Sequence, residues 1–300
     1  DLQVEEGVRP LVSVGGRDAF VLTFNAQGDV TQTLFFGSAG HDIARDLFIG
    51  EDGGFLVVGD FRGPMSLRPE DGREALEHRG ESDVFAIAGL PLSWPSVVFS
   101  MGGPGLDEGT AAAMLPDGRL LVGGSFSDTI TIRAGQEERT LRSRGELDLF
   151  IVLLAVDGAL EQVWSAGGPG TDRLSDIAID HRGHPVASGW FSADVDFDGR
   201  GPLPLEHARG PSDGFVLGLD ERLRPQWFWS TRGSALDQVR NLTVSSDGDI
   251  LMTGIFVDQL PPDSSSDAEP LRSRGRSDLF VAKLNARGEQ QWIRAFGGSS

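Results

Sequence analysis

Asp194-Val195-Asp196-Phe197-Asp198-Gly199 places three carboxylates at alternate positions ahead of a glycine. A D-x-D-x-D-G run wraps hard oxygen donors around a tight glycine turn, which is how a calcium loop begins. The twelfth position, where such a loop needs a bidentate acid, is Leu205, and Glu206 comes one place late. An acidic hairpin therefore competes with calcium, because Val195 and Phe197 align with Ile130 and Ile132 one unit earlier and alternate as a strand does. Trp190 stands just ahead, in a column otherwise filled by Asp60, Ser125 and Ile255. With Asp194, Asp196 and His207 it forms a candidate ligand patch, since an aromatic platform beside carboxylates suits sugars or cations.

Other reactive groups offer less. His181 and His184 frame Arg182-Gly183 behind Asp180, where an exposed turn is the simpler expectation than a two-histidine site. His41 and His78 are isolated. No zinc-protease helix, nucleophile elbow or phosphate-cradling glycine loop occurs. Zero cysteine excludes disulfides, thiolate metal sites and a cysteine nucleophile. No cofactor other than a calcium ion is expected, and no catalytic residue is assigned.

The elements that must position these groups are copies of one unit. Phe20, Phe85, Phe150, Phe215 and Phe280 recur every 65 residues, and so do Gly15, Gly80, Gly145, Gly210 and Gly275. Asp18, Asp83, Asp148, Asp213 and Asp278 form one acidic column, and Asp42, Asp107, Asp172 and Asp237 a second. A fixed period of this size marks a repeated supersecondary unit. The chain divides into a truncated repeat, 1–40, and four full repeats, 41–105, 106–170, 171–235 and 236–300, read together as one domain of 1–300.

Within 106–170, Thr110 to Leu115 and Leu120 to Phe126 flank Pro116-Asp117-Gly118, while Asp148 to Val156 and Val163 to Ser165 flank Asp157-Gly158. Two Asp-Gly hairpins give four antiparallel strands per unit. A four-stranded sheet cannot cover both of its faces alone, and radial stacking of such sheets predicts an all-β fold, a β-propeller of 65-residue blades: four full blades plus a half-blade. A parallel β-helix has much shorter coils. Between the second and third strands lie excursions, 62–79, 127–144, 192–209 and 257–274, expected to extend those two strands as a hairpin. Trp164, Trp227, Trp229 and Trp292 fall at core-like positions on the fourth strand.

The half-blade leaves three possibilities for its missing strands: a pair beyond Ser300, four closed blades with an extra capping hairpin, or a second molecule. An unpaired hairpin edge invites pairing, so a homodimer through that edge is one expectation. Arg79, Arg144, Arg209 and Arg274 precede the glycine column in every full unit. Each is expected to pair with the Asp42, Asp107, Asp172 or Asp237 of its own unit in a structural role.

A net charge of −19 disfavours nucleic acid and anionic lipid as partners. The longest apolar stretch, Leu149 to Val156, is far below the ~18 residues of a membrane span, so no insertion is expected. Residue 1 is Asp with no leader after it, so the natural start is expected to have been processed or cut away.

Ser277-Asp278-Leu279-Phe280-Val281-Ala282-Lys283-Leu284-Asn285, then Trp292 and Phe296-Gly297-Gly298, with the Asp-Gly turn before Leu120-Leu121-Val122-Gly123-Gly124, resemble the SBBP type of bacterial β-propeller repeat over essentially the whole chain. The resemblance implies a secreted or surface-anchored protein and no particular reaction. The leading expectation is a noncatalytic protein-interaction or cell-surface scaffold module displaying variable acidic loops on one face, with protein or glycan as partner. The alternative is a glycan-binding or glycan-active protein, of lectin or glycosidase type, with calcium assistance.

Overall fold

A computed structural model describes residues 12–50, 52–67, 75–90, 95–197, 205–262 and 269–299. The protein is all-β, with many antiparallel strands in several sheets and no helix among the described residues. The truncated repeat forms β1 (Ala19–Phe24) and β2 (Val30–Phe36). The first full unit forms β3 (Ile43–Ile49), β4 (Phe55–Phe61), β5 (Met65–Ser66), β6 (Ala75–Leu76), β7 (Asp83–Gly89) and β8 (Val97–Gly102). The second forms β9 (Asp107–Met114), β10 (Leu120–Phe126), β11 (Thr129–Ala134), β12 (Glu137–Arg142), β13 (Asp148–Leu154) and β14 (Leu160–Ala166). The third forms β15 (Asp172–Ile179), β16 (Pro185–Phe191), β17 (Asp194–Val195), β18 (Glu206–His207), β19 (Asp213–Leu219) and β20 (Pro225–Ser230). The last forms β21 (Asp237–Val244), β22 (Ile250–Phe256), β23 (Gln259–Leu260), β24 (Leu271–Arg272), β25 (Asp278–Leu284) and β26 (Gln290–Phe296). Each full unit is an antiparallel meander, as in β15-β16-β19-β20. Its turns hold glycines at positive φ, such as Gly118 at 88° and Gly158 at 85°, a backbone state that glycine adopts at no steric cost.

The recurring phenylalanine is the third-strand residue that fills each sheet. Phe85, Phe150, Phe215 and Phe280 are fully buried, each under a second-strand glycine: Gly59, Gly124, Gly189 or Gly254. A Cβ on Gly124 would lie 2.8 Å from Phe150 Cζ and would land on the Glu108 carbonyl oxygen. That carbonyl stands close because every first strand carries a bulge opposite the glycine. The pairing skips Arg45, Thr110, Ser175 and Arg240 in turn. A bulge leaves one residue unpaired and re-aims it, so glycine column and bulge form one device.

Consecutive sheets pack face to face through four apolar clusters. The excursions depart from expectation. Residues 129–142 do form a hairpin, β11 with β12, but it continues the preceding unit's sheet through Thr131↔Gly102 and Ile132↔Met101 on β8. Bridges Gly37↔Ser66 and Gly167↔Asp196 repeat this backward reach. The reason is burial: Met65, Ile130, Val195 and Leu260, at equivalent positions, are at most 1% exposed, because reaching back drives them into the seam between sheets. Ile130→Ala is expected to cost about 2–5 kcal/mol, read as a lower urea midpoint at unchanged slope.

Two faces lack this cover. Phe20, the first member of the column, is 49% exposed, and Leu279 and Phe296 on the last unit are 58% and 54% exposed. Arg294 lies 5.4 Å over the Trp292 ring, where the other units place an apolar residue or tryptophan. The four first strands, β3, β9, β15 and β21, gather together, and all four line each of two cavities at opposite ends.

Candidate functional site

The two acidic columns lie near the start of the first strands and serve the frame. Asp42 accepts bonds from the Ser38 amide at 2.6 Å and its hydroxyl at 2.8 Å. Asp107 accepts from the Gly103 amide at 2.7 Å, and Asp172 from the Gly168 amide at 2.9 Å. Arg79, Arg144, Arg209 and Arg274 do not pair with this column. Their backbone amides donate to the other one, to Asp83, Asp148, Asp213 and Asp278 at 2.8, 3.1, 3.0 and 2.9 Å. The guanidinium of Arg79 turns to Glu77 and that of Arg144 to the Gly167 carbonyl. The physical reason is spacing: a short acid four residues after the arginine closes the loop through a rigid N–H, and no long side chain has to be ordered.

The third-strand acid of one unit stands beside the first-strand acid of the next, as Asp83 does beside Asp107, Asp148 beside Asp172 and Asp213 beside Asp237. These side chains are nearly or wholly buried. Burial pushes Asp107 up to about 8, with the charges of Asp83 and Asp128 adding. It pushes Asp172 and Asp237 up to about 7, each with its neighbouring acid adding, and Asp83 and Asp213 up to about 6. Loss of hydration penalises the charged form, and a like charge beside it acts in the same direction. Asp83 and Asp107 each keep one buried oxygen, Oδ1, without a hydrogen-bond partner.

A different chemistry occupies the cavity at the same end of the first strands. It measures about 430 Å³, and Arg45, Thr110, Ser175 and Arg240, the four bulge residues, share its wall with Arg173 and Trp190. Arg45 donates through Nε to Asp60 and through Nη2 to Glu108 at 3.0 Å, and Arg173 donates to the other oxygen of Glu108. One glutamate on β9 thus ties β3 to β15, across three units. Deeper in, Asp46 accepts the Ala112 amide at 2.7 Å and Asp176 the Leu242 amide at 2.8 Å, clasping each to the following unit. Arg240 is exposed, and its side chain has no hydrogen bond or ion pair among the described residues. Trp190 sits opposite Arg173 in the strand register and is half-buried.

Among the described residues singled out from sequence, Trp190 alone lines this cavity. His207 Nδ1 lies 2.7 Å from Asp194 Oδ1, both side chains more than half exposed on the β17–β18 excursion, and neither lines the cavity. Val195 and Phe197 are buried, as strand alternation requires. Asp196 bridges to Gly167, and Asp198 lies outside the described residues. Among those residues, no group of three His, Cys, Asp or Glu could hold a metal ion. The Arg45, Glu108, Arg173 and Arg240 set was missed. Its signal was two strand columns that change chemical type between units, Arg45, Thr110, Ser175 and Arg240 in one and Ile43, Glu108, Arg173 and Gln238 in the other, just after the constant Asp42, Asp107, Asp172 and Asp237.

No protein-family model matches the chain, and no curated protein matches it. Among solved structures, it is similar to the crystal structure of a protein of unknown function from Bacteroides caccae, at 10% identity, with 94% of each chain covered and a TM-score of 0.35. A likeness that distant carries no argument about function.

Proposed function

We propose that the protein is a noncatalytic glycan-binding module of β-propeller type, with four full blades and a half-blade, which takes its ligand where the four inner strands meet. The observation that carries this reading is the cavity, where the half-buried Trp190 lines the wall together with Arg45, Arg173 and Arg240. Cavities of roughly 300–1,000 Å³ with a few convergent polar groups are the usual form of small-ligand sites, and this one would admit one or two sugar units. The glycosidase alternative is less favoured, because both oxygens of Glu108 are held by arginines and Asp60 is buried against Arg45. A hydrolase needs a free acid and base flanking the bond. The variable excursions, expected as display loops, also serve as clasps, which moves the expected site inward from them. An extracellular or surface location, implied by the family resemblance, is where such a ligand would be met.

The test is calorimetric glycan screening alongside chromogenic glycosides. Binding without turnover is expected, with Trp190→Ala weakening it about thirtyfold, as a central tryptophan typically does. Turnover of any glycoside would overturn the noncatalytic reading.

The partner expected at the free edge of β1 is a second copy. Among the described residues β1 pairs with β2 alone, and two such pairs meeting edge to edge would make a four-stranded sheet like the others, a pairing that a charged lysine on the edge strand opposes. Sedimentation should then give a dimer that Phe24→Lys converts to monomer; a monomeric parent protein would exclude it.

A further inference from the structure

We infer that the glycan taken at this mouth is an acidic one, its carboxylate or sulfate held by Arg240 while its ring lies on Trp190; this rests on the binding reading above. The charge pattern carries it. The chain has 26 basic residues against 45 acidic ones, yet three guanidinium groups converge on one cavity of about 430 Å³. The carboxylates at the mouth are already committed: Glu108 spans Arg45 and Arg173, and Asp60 faces Arg45. Asp46 and Asp176, farther along the same strands, accept backbone amides of the following units. Arg240 is left over. It is exposed, stands at a bulge, and draws no partner among the described residues.

The bulge gives Arg240 its aim. Its equivalents show three uses of one position: Arg45 is turned to carboxylates, Thr110 donates its hydroxyl to the Leu174 carbonyl at 2.9 Å, and Ser175 is too short to cross the cavity. Arg240 alone combines length, charge and freedom. A planar guanidinium presents paired N–H donors that match a carboxylate or sulfate, and Trp190, the cross-strand neighbour of Arg173 and a lining residue of the same cavity, supplies the flat surface for a sugar ring.

Calorimetry on the intact chain with a galacturonate trimer, a heparin-derived trisaccharide and neutral maltotriose tests this. The expected result is binding of at least one acidic oligosaccharide roughly tenfold or more tighter than the neutral one, weakened by salt, with the carboxylated and sulfated arms telling which anion is preferred. Arg240→Gln should remove that preference without altering the thermal midpoint, since the side chain is exposed, and Trp190→Ala should weaken every sugar that binds. Equal affinity for acidic and neutral oligosaccharides would overturn the inference while leaving the binding module standing. An acidic preference that survives Arg240→Gln would overturn it too. Binding of none of these sugars overturns both.

Discussion

Gly124→Ala is expected to lose more than ~3 kcal/mol, enough to unfold a large fraction of the chain at 37 °C. The new methyl group would meet two obstacles: Phe150 Cζ at 2.8 Å and the Glu108 carbonyl oxygen, which belongs to backbone and cannot rotate away. That carbonyl is fixed by the bulge that skips Thr110, and the bulged strand is clamped by Glu108 between Arg45 and Arg173. Relaxation at one residue would therefore pull on three units. Gly298→Ala, where nothing lies within 4 Å of the added Cβ, should be neutral in the same urea titration. The double change Gly124→Ala with Phe150→Leu separates the two obstacles. Shortening the ring should not rescue stability, because the carbonyl clash persists; full rescue would show that the ring alone requires the glycine.

Stability should be greatest at about pH 4 and fall as pH rises toward 8. In the folded chain Asp107, Asp172 and Asp237 hold protons up to about 8, 7 and 7, whereas an unfolded aspartate releases its proton near 4. Between those limits the native state binds more protons than the unfolded state, so stability declines with rising pH, and it levels off above the folded values. Each tenfold gain in proton affinity on folding corresponds to about 1.4 kcal/mol, so the combined effect is on the order of several kcal/mol. Repulsion from the net charge of −19 acts in the same direction, so a substitution must separate the two. Asp107→Asn keeps an oxygen for the Gly103 amide and turns an N–H₂ group toward Asp83, doing permanently what a bound proton does only at low pH. It should raise the melting temperature at pH 8.5 and leave it nearly unchanged at pH 5. Glu221→Gln removes the same charge from an exposed position and should leave the pH profile as it was. If both variants shift the profile equally, general repulsion is the cause and not the buried pair.

The frame could be read from the sequence because its rules repeat. Asp-Gly turns punctuate the strands, and a phenylalanine every 65 residues marks the packed centre of each sheet. Side-chain direction across sheets was harder to read. The alternation of Ile130 and Ile132 predicts a strand, and β11 is one, yet nothing local states that it joins β8 of the preceding unit. The arginines before the glycine column look like ion-pair partners by residue type, but their amides bond the acid four places on, a backbone contact that any residue except proline could supply. The cavity was hidden for a related reason: a bulge shifts the alternation by one residue, so Arg45 and Arg240 cannot be assigned to a face by counting along the strand. Trp190 could be found because an aromatic in a column of Asp, Ser and Ile breaks the pattern. His207 and Asp194 were grouped with it by nearness in sequence, but pair with each other on the excursion.

A crystal structure of the protein soaked with the galacturonate trimer locates the ligand most directly. Sugar density against the face of Trp190, with an acidic group within hydrogen-bonding distance of Arg240, is the predicted result. Density seated instead on the Asp194 and His207 excursion, or against the outer strands, would contradict a site at the meeting point of the four first strands.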